Sequence, residues 1–393
     1  MRGLLDSGAL RALGAILVMH SVVTMAGYSI PVIAPQAAAD IGIRPESVGF
    51  LVATLYVVAM VTGLLSGMLV DRFGPTRLFQ VLLLAVAAGC GLLMSSTAVT
   101  AFAAAAVLGA VTGPLNPLGS HVLAQTTPTR WRALVFSLKQ CGTPAGGMLA
   151  GAILPPLALA HDWRVAIAVI PAVALVLVAL APIGRLGGAT PGPARRGGIL
   201  EATVRALRGV VRDPGLRRVA IVGACFAACQ MALGSYLVVY LWREAGLSPA
   251  LAGLAFSALH VAGIVSRIVL GSVADRRISS QRLLMILALV MAASLLGLTQ
   301  VTAAWPVLAV FAMTAAMGTS GNGWVGLFFS ELARLAPSER TAEVAGGGQF
   351  VMYGGIVAGP LVFGALLGAT GSYGLCLSLF AGVALLAAAL AAR

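Results

Sequence analysis

The chain has 393 residues, of which 60% are hydrophobic and only 9% charged, with a formal net charge of +13 and a mean hydropathy of +1.00. A water-soluble globular protein is about one quarter charged, so this composition excludes a chain whose main solvent is water. Nucleic-acid binding is excluded as well, because the 25 basic residues are scattered between apolar runs and do not gather on one face.

In chain order, the first apolar run extends from Ala12 to about Ala34 and is followed by Ala37-Ala38-Ala39, superficially a leader-peptide cleavage site. It exceeds the 7–15 residues of a signal h-region, so it reads as a first transmembrane helix. Eleven more runs follow, and together the segments 11–36, 46–70, 78–97, 99–125, 133–158, 164–184, 219–242, 249–273, 283–302, 304–332, 342–369 and 373–391 predict twelve spans. Each is long enough to cross a hydrocarbon core of about 30 Å as a helix. With the N-terminus inside, twenty arginines fall on the cytoplasmic side and only Arg44, Arg164 and Arg243 on the other. This asymmetry predicts an inner (plasma) membrane protein with both termini cytoplasmic.

Six spans are separated from six by residues 185–218, which contain Gly-Gly, Thr-Pro-Gly-Pro and Arg-Arg. The expected organisation is an N-terminal bundle over 1–184, a linker over 185–218 and a C-terminal bundle over 219–393. Within the linker Leu200, Val204, Leu207 and Val211 recur at helical spacing, while Arg205, Arg208 and Arg212 take other faces, which predicts a helix on the inner membrane surface. Cys90, Cys141, Cys225, Cys229 and Cys376 all lie inside apolar runs without the paired spacing of a disulfide or zinc site. Neither a metal nor a cofactor is expected.

The loop after the second span reads Gly67-Met-Leu-Val-Asp71-Arg72-Phe-Gly74-Pro-Thr-Arg77, and the loop after the eighth reads Gly271-Ser-Val-Ala-Asp275-Arg276-Arg-Ile-Ser-Ser-Gln-Arg282. A G-x-x-x-D-R box recurring 204 residues later, at equivalent places in two six-span halves, argues for duplication. A small residue at Gly67 lets helices approach closely. Asp71, at a helix end, can accept from a neighbouring helix N-terminus and pair with Arg77. These residues resemble the signature loop of the major facilitator superfamily, and the resemblance covers the whole chain. It implies an all-α fold of twelve transmembrane helices in two pseudo-symmetric bundles. It further implies that the cluster latches the cytoplasmic side in the outward-open state. The second copy departs from the pattern, lacking the glycine that would follow Arg277.

Around the fifth span, the stretch from Pro128 to Gln140 aligns with that from Pro337 to Gln349 at an offset of 209. The register of Arg132, Lys139 and Gln140 resembles the fifth span of sugar facilitators and sugar-phosphate antiporters of the superfamily, which implies that these positions line the central cavity. Gly142-Thr143-Pro144-Ala-Gly146-Gly147 and Gly359-Pro360 resemble the family's Gly-Pro box in weakened form.

Two cations stand inside spans, Lys139 in the fifth and Arg267 in the eighth, and Lys139 is the only lysine in the chain. A charge at membrane depth costs roughly 2.5–3.5 kcal/mol on insertion scales, which makes function the default explanation. None of the twelve acids lies near a span centre, so the positive charge asks for an anion to complete it. Arg267 stands four residues before Gly271 and eight before Asp275, a register similar to the eighth-span arginine of monocarboxylate and oxalate transporters, where guanidinium meets carboxylate in a fork.

Gln140 and Gln349, related by the repeat, are candidate donors to substrate oxygens. Thr143, Asn116, Asn322, Tyr28, Tyr236 and Tyr353 are further cavity candidates, with helix packing and interfacial anchoring as their alternative roles. His20, mid-span in the first helix, is the coupling candidate, since its unperturbed pKa near 6.5 suits a carried proton. His260 precedes Arg267 by seven residues and can share its surroundings. The leading reading is a monomeric secondary transporter of a small organic anion, a monocarboxylate, partnered by the lipid bilayer and a co-transported proton. Two alternatives stand beside it: a proton-coupled efflux antiporter of neutral or amphiphilic drugs or metabolites, and a transporter-like sensor that binds without translocating. No catalytic constellation is present, so an enzyme is not expected.

Overall fold

The computed structural model describes residues 8–128, 131–180, 199–274, 278–337 and 340–393, which form helices and no strand. The helices are α1 (Ala9–Ile41), α2 (Val48–Phe73, after a 3-10 turn at Pro45–Ser47), α3 (Pro75–Met94), α4 (Ala98–Thr126), α5 (Arg132–Gln140), α6 (Gly142–Ala160) and α7 (Trp163–Leu180). After the linker come α8 (Ile199–Arg212), α9 (Pro214–Arg243), α10 (Pro249–Ala274), α11 (Ser280–Leu298), α12 (Val307–Leu335), α13 (Thr341–Thr370) and α14 (Tyr373–Ala391).

Eleven segments among the described residues are long and apolar enough to cross a membrane, and the chain is a multi-pass membrane protein. The expected tenth span is the 29-residue α12, which is not among the eleven. Its middle carries Thr319-Ser320-Gly321-Asn322-Gly323, which weakens its apolar character. Stripes of exposed aliphatic side chains mark surfaces suited to hydrocarbon: on α2, Val57, Val61, Leu65 and Met68 all point outward.

The fifth span departs from expectation. It is two helices, α5 and α6, which meet at a turn at Cys141. Pro144 has no N–H with which to answer the carbonyl of Gln140, and Cys141 N–H bonds instead to the carbonyl of Leu138 at 3.0 Å, tightening the last turn of α5.

Two compact units divide the chain, one built on 1–44 and 54–196, the other on 45–53 and 197–393. In the first, α1 packs on α6 and α4, and α3 packs on α7 and α4. In the second, α9 packs on α13 and α12, and α11 packs on α14 and α12. The same pairing therefore recurs in each unit, with α9, α11, α12, α13 and α14 standing where α1, α3, α4, α6 and α7 stand.

Missing side chains set the closest approaches. A Cβ at Gly146 of α6 would lie 2.7 Å from Cβ of Thr24, and one at Gly359 of α13 would strike the carbonyl of Ala228. The glycines read as a Gly-Pro box thus let paired helices touch backbone to backbone.

The linker is described only from residue 199, so 185–198 lie outside the described residues. Its helix α8 packs on α13 and α9, through buried Ala206 and Val210, with Gly347 of α13 beneath Ala206. At 100° per residue the stripe of Leu200, Val204, Leu207 and Val211 is turned away from this packed face, and Val211 is 46% exposed. A Cβ at Gly347 would strike the carbonyl of Ala206, so the missing side chain on α13 lets α8 approach.

Candidate functional site

In the first unit, three helices bring four polar side chains to one place. Lys139, in the last turn of α5, is 3% exposed. Its Nζ donates to Ser120 Oγ at 2.8 Å and to the carbonyl oxygen of Asn116 at 3.3 Å, both on α4. The ammonium also lies 5.6 Å from the centre of the Phe136 ring. His20, fully buried on α1, bonds through Nδ1 to the carbonyl of Ile16 at 2.9 Å and meets Asn116 Oδ1 through Nε2 at 3.4 Å. Gly119 makes the room: a Cβ there would lie 3.1 Å from Cε1 of His20 and 3.3 Å from Cδ of Lys139.

The chemistry of this cluster follows from its donors and acceptors. A carbonyl can only accept, so Ile16 holds a proton on Nδ1 of His20. Nε2 is then the atom that gains or loses a proton, and Asn116 can answer either state by presenting its oxygen or its amide NH2. Asn116 thereby joins His20, through its side chain, to Lys139, through its main chain.

The second unit contains a related cluster. Arg267, half-buried on α10, donates from Nε to the carbonyl of Asn322 on α12 at 2.7 Å. The side chain of Asn322 accepts from Gln230 Nε2 of α9 at 3.0 Å, and Gln230 Oε1 accepts from Trp324 Nε1 at 3.0 Å. Trp324 is buried and stacks on Phe226, with ring centres 5.3 Å apart. His260, one face of which packs on Phe256, bonds through Nδ1 to that residue's carbonyl at 2.9 Å.

Among the described residues two acids are buried, and each is paired: Glu46 with Arg243, and Glu331 with Arg334 through a two-pronged contact of 2.6 and 3.0 Å. Among the described residues no carboxylate pairs with Lys139.

Of the residues singled out in the sequence, Lys139, Asn116 and His20 come together, as do Arg267 and Asn322. Tyr236 does not join the second cluster, for its ring stacks on Phe363 and its hydroxyl donates to the carbonyl of Pro360 at 3.3 Å. Gln349 lies one turn before Tyr353 on α13. Thr143 is half-buried in the first turn of α6, Gln140 ends α5, and Tyr28 is buried in α1. Ser120, Gln230 and Trp324 were missed; each is a polar-tipped residue inside an apolar run, and Trp324 lies two residues beyond Asn322.

The loop box is only partly described. Asp71 and Arg77 are both exposed, and the expected pair between them is not formed. The connection between α2 and α3 is the single residue Gly74, at φ 71°, and this tight turn leaves Asp71, Arg72 and Arg77 pointing outward from helix ends. In the second copy, Asp275 and Arg276 lie outside the described residues, as do the surroundings of Gly271, while Arg282 sits in the first turn of α11, capped by Ser279.

A model of the Major Facilitator Superfamily matches residues 16–360. The hexuronate transporter of Bacillus subtilis (strain 168) is 25% identical over 158 residues, 39% of this chain and 36% of that protein, so the match spans about a third of the relative's length. Among solved structures, a bacterial homologue of the human lysosomal transporter Spinster, in an inward-facing and occupied conformation, is similar with a TM-score of 0.76. That likeness covers 97% of this chain and 94% of the other at 13% identity, and it is a likeness of fold.

Proposed function

Because the chain belongs to the Major Facilitator Superfamily, a secondary transporter and not an enzyme, we propose that it moves a small organic anion bearing one carboxylate across the membrane by alternating access. The observation that carries this reading is Lys139. A buried ammonium costs several kcal/mol to desolvate, and Ser120 and Asn116 offer it only neutral oxygens. An arriving carboxylate supplies the missing countercharge. The hexuronate transporter similar to part of this chain supports the same chemistry, since a hexuronate carries a single carboxylate. In this reading Arg267 is the second anion contact, with Asn322 orienting its guanidinium, and His20 carries the coupled proton on Nε2.

Efflux of cationic amphiphiles is disfavoured, because Glu46 and Glu331, the two buried acids among the described residues, are already engaged by arginines. The test is a thermal-shift screen of the purified chain against short monocarboxylates, hexuronates, neutral hexoses and cationic amphiphiles. A ligand at 100 times its dissociation constant adds about 2.7 kcal/mol. Acids should raise the melting temperature and Lys139→Gln should remove that rise, with proteoliposome uptake of the same acid separating transport from sensing. Shifts from neutral or cationic compounds alone would overturn the anion reading.

A further inference from the structure

Outside both polar clusters, the second unit holds a cavity of about 560 Å³ between α8 and the start of α13. Arg205, Arg208 and Arg212 line it from one face of α8, at spacings of three and four residues that stack them along the helix. Arg340 faces them from the other side. Gly209 forms part of the wall, and a Cβ there would come within 3.1 Å of Nη2 of Arg340, so a large side chain at this position would intrude on the cavity.

The acids around it are already used. Glu201 pairs with Arg205 at 3.2 Å, Glu343 with Arg340 at 2.9 Å, and Asp213 Oδ1 accepts the Leu216 N–H at 2.8 Å as the N-cap of α9. Arg208 and Arg212 make no ion pair among the described residues. Two guanidinium groups on one wall, within reach of a third, suit a phosphate, whose oxygens take paired N–H donors.

A separate observation concerns what else such a ligand carries. Because α8 packs through Ala206 and Val210, the apolar residues Val204, Leu207 and Val211 are left half-buried or exposed, beside the arginine stripe. A helix with arginines along one edge and unburied aliphatic side chains along the next has the layout of an interfacial helix. We propose that this cavity binds the phosphate headgroup of an anionic phospholipid, with the acyl chains lying along Val204, Leu207 and Val211.

The experiment uses the full purified chain in detergent, with melting temperature and native mass spectrometry as readouts. Short-chain phosphatidylglycerol, phosphatidylcholine of equal chain length and inorganic phosphate are titrated separately. Phosphatidylglycerol should bind saturably and raise the melting temperature, with phosphatidylcholine and inorganic phosphate each giving less than about a third of that shift. Arg208→Gln combined with Arg212→Gln should weaken phosphatidylglycerol at least tenfold. Gly209→Leu, which fills the cavity without changing charge, should do the same, whereas diffuse attraction to a basic surface would leave it untouched. Equal binding of phosphatidylcholine, or phosphatidylglycerol binding unchanged in both variants, would overturn the site. A full shift from inorganic phosphate alone would overturn the lipid as its source.

Discussion

The polar clusters of the two units share one device and differ in what surrounds it. Each sets a cation against the main-chain carbonyl of an asparagine on a 29-residue helix, Lys139 on Asn116 of α4 and Arg267 on Asn322 of α12. In the first, the asparagine side chain meets an imidazole; in the second, it is held by the amide of Gln230, itself bound to an indole. An imidazole can take up a proton, whereas an amide and an indole do not. The difference teaches that in the first cluster a histidine touches the asparagine that holds the cation, whereas in the second the asparagine is held by groups that take up no proton, the nearby His260 bonding the carbonyl of Phe256 instead.

The largest effect expected from this contrast is at Arg267. Its Nε bond to Asn322 sets the plane of the guanidinium, which a lysine cannot reproduce. A hydrogen bond to a charged group is worth about 1.5–3 kcal/mol, so Arg267→Lys should weaken the substrate acid about ten- to a hundred-fold, and Arg267→Ala more. Titration calorimetry on folded, monodisperse protein measures this. Full affinity in Arg267→Ala would remove the second unit from anion recognition and leave Lys139 alone.

A smaller effect is expected at the titratable cluster. His20→Gln keeps a hydrogen-bonding side chain between Ile16 and Asn116 but cannot accept a proton. A pH difference of one unit is worth about 1.4 kcal/mol per proton and sustains about tenfold accumulation. Proteoliposomes containing His20→Gln should lose that accumulation while still exchanging substrate for substrate. If accumulation persists, the proton travels by another group and the two clusters do not differ in the way argued.

How far all this could be read from the chain itself depends on the physics that sets each feature. Span positions followed from apolar run length, and α10, α13 and α14 match the expected 249–273, 342–369 and 373–391 to within about a residue. The break at Cys141 was not foreseen, although Pro144 was in view, because a proline inside a span breaks, bends or leaves a helix intact according to its neighbours. Pro155 and Pro156 lie inside the continuous α6. Lys139 and Arg267 stood out because charge is rare at membrane depth. Ser120, Gln230 and Trp324 did not, since neutral polar residues in spans are common and only tertiary contact says which of them meet. For the same reason the chain alone left Tyr236 open between cavity lining and helix packing.

The finest test concerns whether the framework around Arg267 acts as a unit. Gln230→Leu removes the group that joins Asn322 to Trp324, while Trp324 keeps a second acceptor in the carbonyl of Gly321 at 3.1 Å. A neutral hydrogen bond contributes about 1 kcal/mol, so this substitution alone should weaken the substrate acid by less than tenfold. Combined with Arg267→Lys, it should depart from additivity by about 0.5 kcal/mol or more, because both residues hold the same asparagine. Tyr236→Phe supplies the contrast. Its hydroxyl bonds Pro360, so with Arg267→Lys its effect should add to within about 0.3–0.5 kcal/mol. Both cycles are read from substrate affinity and from melting temperature. Coupling in affinity means that the amide chain orients the guanidinium for its ligand. Coupling in melting temperature alone would make it a brace between α9, α10 and α12, and the second cluster would then resemble the first only in its carbonyl.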